Sequence, residues 1–148
     1  MHRPLKIGSL VMEISINILK KSSLKTYSHD SVIIEEGVSG SHIYILIDGK
    51  IEVTKNSTFT THITQGGSII GEVSLLLGCP YLATCRSIGE ANLYEVQITT
   101  KFLEENPNLL LMIAKELAVK LRKATTELAA HGEIKTKIDH SDQDWNAA

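Results

Sequence analysis

A glycine-rich segment in the middle of the chain, residues 66–84, carries the residue types best suited to ligand chemistry. Gly71 is followed directly by the acidic residue Glu72 and then by Val73 and Ser74. Backbone N–H groups exposed at the start of a helix donate to an anion, and the helix dipole adds to this attraction. A carboxylate such as Glu72 accepts hydrogen bonds from hydroxyl groups. The segment therefore predicts a site for a ligand with an anionic group and a hydroxyl group.

Glu72 also has an interpretation that needs no ligand. An acidic side chain in the first turn of a helix is stabilised by the helix dipole alone. Both interpretations place Glu72 at the start of a short helix that begins near Gly71. They differ in whether the carboxylate contacts a bound molecule.

Length and composition indicate a folded domain that does not bind DNA directly. The chain has 148 residues, of which 43% are hydrophobic and 22% are charged, and these fractions are typical of globular proteins. Its 15 basic and 17 acidic residues give a net charge of −2, whereas DNA-binding proteins usually have a basic excess. No segment has the apolar length of a membrane-spanning helix or the pattern of a secretion signal. We therefore expect a cytoplasmic location.

The distribution of histidines and cysteines argues against a metal site, a disulfide framework and an enzyme. The six histidines are scattered singly, and a metal-dependent β-barrel enzyme needs closely spaced pairs. No residue lies in a recognisable nucleophile motif. Cys79 and Cys85 fit free thiols in a reducing compartment. We expect no catalytic residue, no metal and no cofactor.

The elements that must position the 66–84 segment are mostly β-strands. Residues beyond Lys21 alternate with period two and are broken by glycines, which is typical of an antiparallel sandwich or barrel. Asp48-Gly49, between two alternating runs, predicts a tight hairpin. Asn56-Ser57 and Gly89-Glu90 predict further breaks. The predicted strands cover residues 31–36, 42–47, 51–54, 58–64, 82–87 and 91–97.

Helices are predicted at both ends of the chain. Apolar residues between Ile7 and Leu19 recur at steps of three and four, which predicts an N-terminal helix. A short helix is expected over residues 100–105, and Asn106-Pro107 predicts the N-cap and first residue of a longer helix reaching about His131. An apolar stripe along that helix comprises Leu110, Ile113, Leu117, Leu121, Ala124 and Leu128. The stripe predicts either packing on the domain's own strands or a dimer seam.

The whole arrangement resembles the cyclic nucleotide-binding domain family, over about residues 24–122. Gly71, Glu72, Val73 and Ser74 stand in the register of the family's phosphate-binding cassette, the loop and one-turn helix that hold the ligand. Ala83 and Thr84 follow Pro80 at the family's spacing, and the other matches are Gly37, Gly40, Tyr44 and Gly49. The resemblance implies a mainly β fold, an antiparallel β-roll or jelly roll like the CAP effector domain. An N-terminal helix, a short cassette helix and a long C-terminal helix flank it.

This resemblance divides the chain into four parts and implies a ligand. The parts are an N-terminal helical segment (1–23), the β-roll with its cassette (24–99, cassette 66–84), the C-terminal helices (100–132) and a disordered tail (133–148). The implied ligand is cAMP or cGMP, with Glu72 accepting a hydrogen bond from the ribose 2′-hydroxyl. The predicted ligand-binding residues are Gly71, Glu72, Val73, Ser74, Tyr81, Leu82, Ala83 and Thr84.

The second half of the cassette departs from the family pattern. The family places an arginine after the proline to bind the phosphate, and this chain has Tyr81 there, followed by the apolar Leu82. A hydrogen bond to an ionised group contributes about 1.5–3 kcal/mol, so losing it weakens phosphate binding about ten- to 150-fold. Arg86 lies five residues further on, on the opposite face of a strand from Tyr81. It is therefore a poor substitute for the missing arginine.

Three functions are compatible with these residues. The first is a regulatory sensor that binds a cyclic nucleotide and repositions its C-terminal helix. The second is a ligand-free scaffold that binds a protein partner or forms a homodimer through Leu121, Ala124 and Leu128. The third is a cyclic dinucleotide sensor in which Tyr81 stacks on a base. The polar residues after the long helix are too few for a helix-turn-helix, so we expect no direct DNA binding.

Overall fold

The computed structural model describes residues 5–7, 10–12, 20–40 and 42–131, and for residues 5–7 and 10–12 only the backbone. Eight strands and three complete helices lie in these ranges. The strands are β1 (Leu5–Ile7), β2 (Leu10–Met12), β3 (Ser22–Tyr27), β4 (Val32–Ile34), β5 (His42–Lys55), β6 (Thr58–Ile63), β7 (Ile69–Ile70) and β8 (Thr84–Gln97). The helices are α1 (Glu72–Leu77), α2 (Thr100–Glu105) and α3 (Pro107–Ala130). The predicted class, mainly antiparallel β with a cassette helix and a long C-terminal helix, is confirmed.

The main sheet contains six strands, and β5 and β8 form its centre. Its order is β3-β8-β5-β6, while β4 also pairs with β8 and β7 with β5. All of these pairs are antiparallel. The cassette helix α1 follows β7 directly, and β8 begins soon after it. The two long central strands therefore hold both ends of the cassette.

The predicted hairpin at Asp48-Gly49 is wrong, because β5 runs through it without a turn. The pairing of β5 with β8 shifts register on both sides of Asp48, which marks β-bulges. Gly49 has φ +112°, and a Cβ atom there would lie 2.7 Å from the Ala91 Cα atom. Asn92 donates a 2.7 Å hydrogen bond to the Asp48 side chain. Gly49 therefore allows β5 and β8 to approach each other closely. The pairing of β5 with β8 outweighs the local turn preference of Asp48-Gly49.

The predicted break at Gly89-Glu90 is wrong for the same reason. Residues 82–87 and 91–97 were expected to be separate strands, but β8 spans Thr84–Gln97. Gly89 takes φ +73° inside this strand, which accommodates a local irregularity. The predicted turn at Asn56-Ser57 is confirmed, since both residues have positive φ and connect β5 to β6.

The N-terminal helix prediction fails where the structure describes the backbone. Residues 5–7 and 10–12 form two antiparallel strands, with Ile7 opposite Leu10. Gly8-Ser9 lies between them in the sequence. A three-to-four spacing of apolar residues can therefore arise from two short strands. Residues 13–19, the rest of the predicted helix, lie outside the described residues.

The core of the roll is formed by aliphatic side chains from the central strands and by two tyrosines. Tyr44 and Tyr81 belong to one buried cluster, and Tyr27 packs against it. The remaining members are aliphatic side chains and one cysteine: Ile33, Ile34, Leu46, Ile51, Ile70, Cys85, Ala91 and Leu93. Cys79 and Cys85 are free thiols. Because Tyr81 was predicted as a ligand contact, its place in the core bears directly on the site.

The C-terminal helices begin at Thr100 and Pro107, as predicted. The chain divides into two compact units, residues 1–109 and 110–148, so α3 begins in the first unit and continues in the second. Asn106 lies directly before Pro107, the first residue of α3, and its side-chain amide donates a 2.8 Å hydrogen bond to the Phe102 carbonyl in α2. Leu121, Ala124 and Leu128 of the predicted dimer seam are exposed. The predicted disordered tail lies outside the described residues.

Candidate functional site

The first half of the cassette is a tight turn that leads into α1. Gly71 precedes the helix with φ +88°, a conformation that favours glycine. A Cβ atom at Gly71 would lie 3.1 Å from the His42 carbonyl oxygen and 3.2 Å from Cε1 of Tyr81. Gly78, also left-handed, ends the helix at its other end. The predicted short helix is therefore present, and the backbone at Gly71 passes close to Tyr81.

Glu72 is the first residue of α1, and only 3% of it is exposed. Buried carboxylates in proteins are almost always paired or hydrogen-bonded, because burial of an isolated charge is costly. Glu72 does take part in interactions within the fold. A carboxylate has about four acceptor positions, so it can accept more than one hydrogen bond. Burial therefore distinguishes Glu72 from an acidic residue that lies on the surface in the first turn of a helix.

Ser74 is also buried, and it holds the end of the cassette helix in place. Its hydroxyl donates a short hydrogen bond to the Cys79 carbonyl. The Cys79 N–H in turn donates to the Ser74 carbonyl at 3.2 Å. Val73, between Glu72 and Ser74, is half-buried. The Ser74 side chain therefore bonds within the cassette and braces the loop between α1 and Pro80.

Tyr81 lies in the core, and its polar atoms bond to neighbouring backbone. Only 7% of the residue is exposed. Its hydroxyl donates a 2.8 Å hydrogen bond to the His42 carbonyl, and its N–H donates to the Val38 carbonyl at 3.0 Å. A Cβ atom at Gly40 would lie 2.0 Å from the Tyr81 ring, so the ring lies directly against that backbone. In this position the ring offers little exposed surface, so stacking of Tyr81 on a base stays a prediction.

Three tyrosines gather around the Glu95 carboxylate on the inner side of the sheet. The Tyr44 hydroxyl donates a 3.1 Å hydrogen bond to Glu95. Burial raises the pKa of Tyr27, Tyr44 and Tyr81, and the negative charge of Glu95 raises each pKa further. The hydrogen bond to the His42 carbonyl opposes this rise in the pKa of Tyr81. The three hydroxyls are therefore neutral donors at physiological pH.

Sequence reasoning missed Glu95 and His42 as neighbours of the cassette. The His42 imidazole lies 4.0 Å from the Glu95 carboxylate, and both side chains are partly exposed. Tyr44 and Glu95 face each other across the β5–β8 pair. Only the register of those two strands brings them together, and the sequence does not specify that register. Neither residue has a signal in the sequence beyond its position in an alternating strand.

The last three predicted site residues follow Tyr81 directly in the second half of the cassette. Leu82 is 46% exposed, and its carbonyl accepts a 2.7 Å hydrogen bond from the Lys55 ammonium group. Ala83 and Thr84 are half-buried. The Thr84 hydroxyl accepts a 3.0 Å hydrogen bond from the Glu36 N–H. Leu82 and Thr84 therefore attach the cassette to the end of β5 and to the segment after β4.

Arg86 does not take the place of the missing arginine. Its guanidinium lies 3.4 Å from the Asp30 carboxylate, and both side chains are substantially exposed. Exposed ion pairs of this kind contribute about 0–1 kcal/mol. The structure therefore agrees with the expectation that Arg86 faces away from Tyr81.

Metal and membrane sites receive no support from the described part of the chain. Among residues 20–40 and 42–131, no three histidine, cysteine or acidic side chains come together as metal ligands. The helices described there lack the combination of length and apolar character that crossing a bilayer requires.

Known proteins resemble this chain in both sequence and structure. The family model of the cyclic nucleotide-binding domain matches residues 24–101, which is more than half of the chain. Isozyme 2 of the cGMP-dependent protein kinase of Drosophila melanogaster is 32% identical over 71 residues. These residues make up 48% of this chain and 6% of the kinase, so the likeness concerns one small region of a much longer protein.

Two solved structures show the same fold. One, described as "Sp-2Cl-cAMPS bound to PKAR CBD2", has a TM-score of 0.60 and 25% identity, covering 78% of this chain and 75% of that chain. The catabolite activator protein of Thermus thermophilus has a TM-score of 0.64 and 20% identity, covering 79% and 58% respectively. The family match and these structural likenesses agree on the β-roll. The chain therefore belongs to the cyclic nucleotide-binding domain family, whose members are regulatory.

Proposed function

We propose that this chain is a regulatory sensor domain that binds a ribose-containing ligand at Glu72 and transmits occupancy through α3. The carrying observation is the burial of Glu72, at 3% exposure, in the first position of the cassette helix. Gly71 brings backbone close to this position with its left-handed conformation. In this proposal a ligand hydroxyl donates to the Glu72 carboxylate in addition to the interactions that Glu72 makes within the fold. Binding of cAMP or cGMP, and the absence of any catalytic residue, are part of this proposal by likeness to the family.

In this proposal, transmission to α3 requires the ligand to bind more tightly when the helix is in one position than when it is in another. A ligand changes the position of a helix only as far as its affinity differs between the two positions. The cassette helix α1 contacts β5, and β5 pairs with β8, which leads into α2 and α3. We therefore expect a movement of α1 on ligand binding to be transmitted through β5 and β8 to the C-terminal helices.

Ligand binding is tested by isothermal titration calorimetry of the full chain against cAMP, cGMP, adenosine and guanosine. Glu72→Gln keeps the size of the side chain and removes its charge, so it is expected to weaken binding about tenfold or more. Glu90→Gln, an exposed acid on β8, is the matched control and should leave affinity unchanged. If no compound binds at millimolar concentration, the sensor proposal is wrong.

Transmission to α3 is tested separately by amide hydrogen exchange with and without saturating ligand. We expect exchange to change along Pro107–Ala130 as well as along α1. Exchange that changes in the cassette alone would contradict coupling while leaving ligand binding intact.

A second candidate function is favoured by the burial of Tyr81. A ring that packs on Gly40 and Gly71 reduces the room for a ligand phosphate, which suits a ligand-free scaffold. Exposed apolar residues on α3 would then bind a protein partner or a second copy. Sedimentation of the full chain tests the homodimer, and Leu121→Glu should dissociate it. A monomeric wild-type chain would contradict self-association.

A further inference from the structure

The strand β6 leaves one edge of the main sheet open. It lies at the end of the order β3-β8-β5-β6, and within residues 20–40 and 42–131 it pairs with β5 alone. The strands β1 and β2 pair with each other. An edge strand presents a row of backbone N–H and C=O groups to which a further strand can bond. The outer edge of β6 is therefore available for pairing.

This edge lacks the charged side chains and prolines by which natural edge strands usually avoid further pairing. Residues 56–71, which include all of β6, contain no Asp, Glu, Lys, Arg or Pro. Four of the six β6 residues are exposed, namely Thr58, Phe59, Thr60 and His62. The opposite edge of the sheet differs, because β3 carries the exposed Lys25. The β6 edge is therefore better suited to pairing than the β3 edge.

A β-bulge places an extra residue near the middle of β6. Thr61 lies opposite Val53 and Phe59 lies opposite Thr54, so Thr60 is the extra residue. The extra residue of a bulge is left unpaired by the neighbouring strand. A bulge also twists an edge strand, which limits the length over which a second strand can pair with it. We therefore expect a short contact at this edge.

Two exposed rings lie together on the same strand. Phe59 is 54% exposed, and its ring centroid lies 4.7 Å from that of His62. The His62 imidazole also lies 4.0 Å from the Glu52 carboxylate on β5. Side chains directly opposite each other on adjacent strands are about 4.5–5.5 Å apart. A strand added beside β6 would therefore cover part of this ring pair and remove apolar surface from water.

We infer that β6 is a self-association edge, at which two copies of this chain pair their β6 strands antiparallel around a two-fold axis. Such an axis brings the same edge of each copy together, so one open edge serves both partners. Because β6 contains no acidic residue, lysine or arginine, no register of the two strands places such charges opposite each other. The inference requires no ligand at Glu72, and it concerns a surface other than α3.

The size of the edge sets the strength of the dimer. A contact along one six-residue strand is expected to bury less area than the roughly 1,200–2,000 Å² of a stable interface. The two copies are therefore expected to exchange between monomer and dimer as concentration changes.

The test is sedimentation velocity of the full chain over a range of concentrations. We expect the wild-type chain to form a dimer that dissociates on dilution. Thr60→Lys and Thr60→Glu each place like charges near the two-fold axis and should weaken dimerisation about fivefold or more. An equimolar mixture of the two variants should recover the dimer, because opposite charges then meet. Ser23→Lys, at an exposed position of the other edge strand β3, is the matched control and should dimerise like wild type.

Three results would overturn the inference. The first is a wild-type chain that stays monomeric at millimolar concentration. The second is a dimer that Thr60→Lys leaves intact and Leu121→Glu dissociates, because that contact lies on α3. The third is a pair of variants that stay monomeric after mixing although their circular dichroism matches wild type. If either variant fails to fold, Thr58→Lys and Thr58→Glu, at another exposed position of β6, replace them in the same experiment.

Discussion

The two halves of the cassette, residues 71–74 and 81–84, use their side chains in opposite ways. In the first half, glycine brings the backbone close and a buried carboxylate begins a helix. In the second half, a tyrosine enters the hydrophobic core, while Leu82 and Thr84 attach the loop to its neighbours. One half has the carboxylate that we propose as the ligand contact, and the other has an aromatic core residue where the family pattern has an arginine. The buried side chains of the two halves thus differ in what they contact.

The largest expected effect comes from removing the Tyr81 ring. Tyr81→Ala should lower the free energy of unfolding by about 3–5 kcal/mol, as truncation of a buried aromatic side chain usually does. Leu82→Ala is the control, because Leu82 is 46% exposed and should change stability by about 0.5 kcal/mol or less. Urea denaturation followed by circular dichroism measures both. Equal losses of unfolding free energy in the two variants would contradict the difference between the buried Tyr81 and the exposed Leu82.

A double-mutant cycle tests whether Tyr81 packs against the facing loop. Gly40→Ala places a Cβ atom 2.0 Å from the present position of the ring, which should cost about 1–3 kcal/mol of stability. In the Tyr81→Ala background most of that cost should disappear, giving a coupling free energy of about 1 kcal/mol or more. The pair Gly40→Ala and Leu82→Ala should be additive. Additivity in both cycles would show that the ring lies elsewhere.

A smaller effect isolates the Tyr81 hydroxyl from its ring. Tyr81→Phe removes the 2.8 Å hydrogen bond to the His42 carbonyl and should lower the free energy of unfolding by about 0.5–1.5 kcal/mol. Tyr94→Phe, a half-buried residue on β8, is the matched control and should cost less. Chemical denaturation resolves the difference. A Tyr81→Phe variant as stable as wild type would contradict a contribution from this bond.

We expect ionisation of the buried tyrosines to change the free energy of unfolding only at alkaline pH. Burial raises the pKa of Tyr44 and Tyr81 above the ordinary value of 10.0, so the folded state holds these protons more tightly than the unfolded state. The resulting stability is complete below about pH 10 and is lost as pH rises toward the folded-state values. Tyr81→Phe should reduce the alkaline slope, measured by denaturation at several pH values. An unchanged slope would contradict the shift in Tyr81.

Local sequence signals predicted the short elements well and the long strands poorly. The cassette helix, the Asn56-Ser57 turn, α2 and the start of α3 depend on neighbouring residues, and the structure confirms them. Asp48-Gly49 and Gly89-Glu90 carry equally strong turn signals, but both lie inside long strands. Antiparallel pairing between β5 and β8 outweighs those signals. The spacing of apolar residues near the N-terminus predicted a helix, but residues 5–7 and 10–12 pair as antiparallel strands.

The sequence by itself determined the class of the domain, the position of the cassette and the exchange of a cation for Tyr81. These properties depend on residue types at fixed spacing along the chain. Only the tertiary structure decided that Tyr81 turns into the core, that its hydroxyl bonds to His42, and that Glu95 lies close by. Tyr81 and His42 are 39 positions apart in the chain, and strand register and core packing bring them together. A side chain's direction follows from what surrounds it, and a linear sequence does not specify those surroundings.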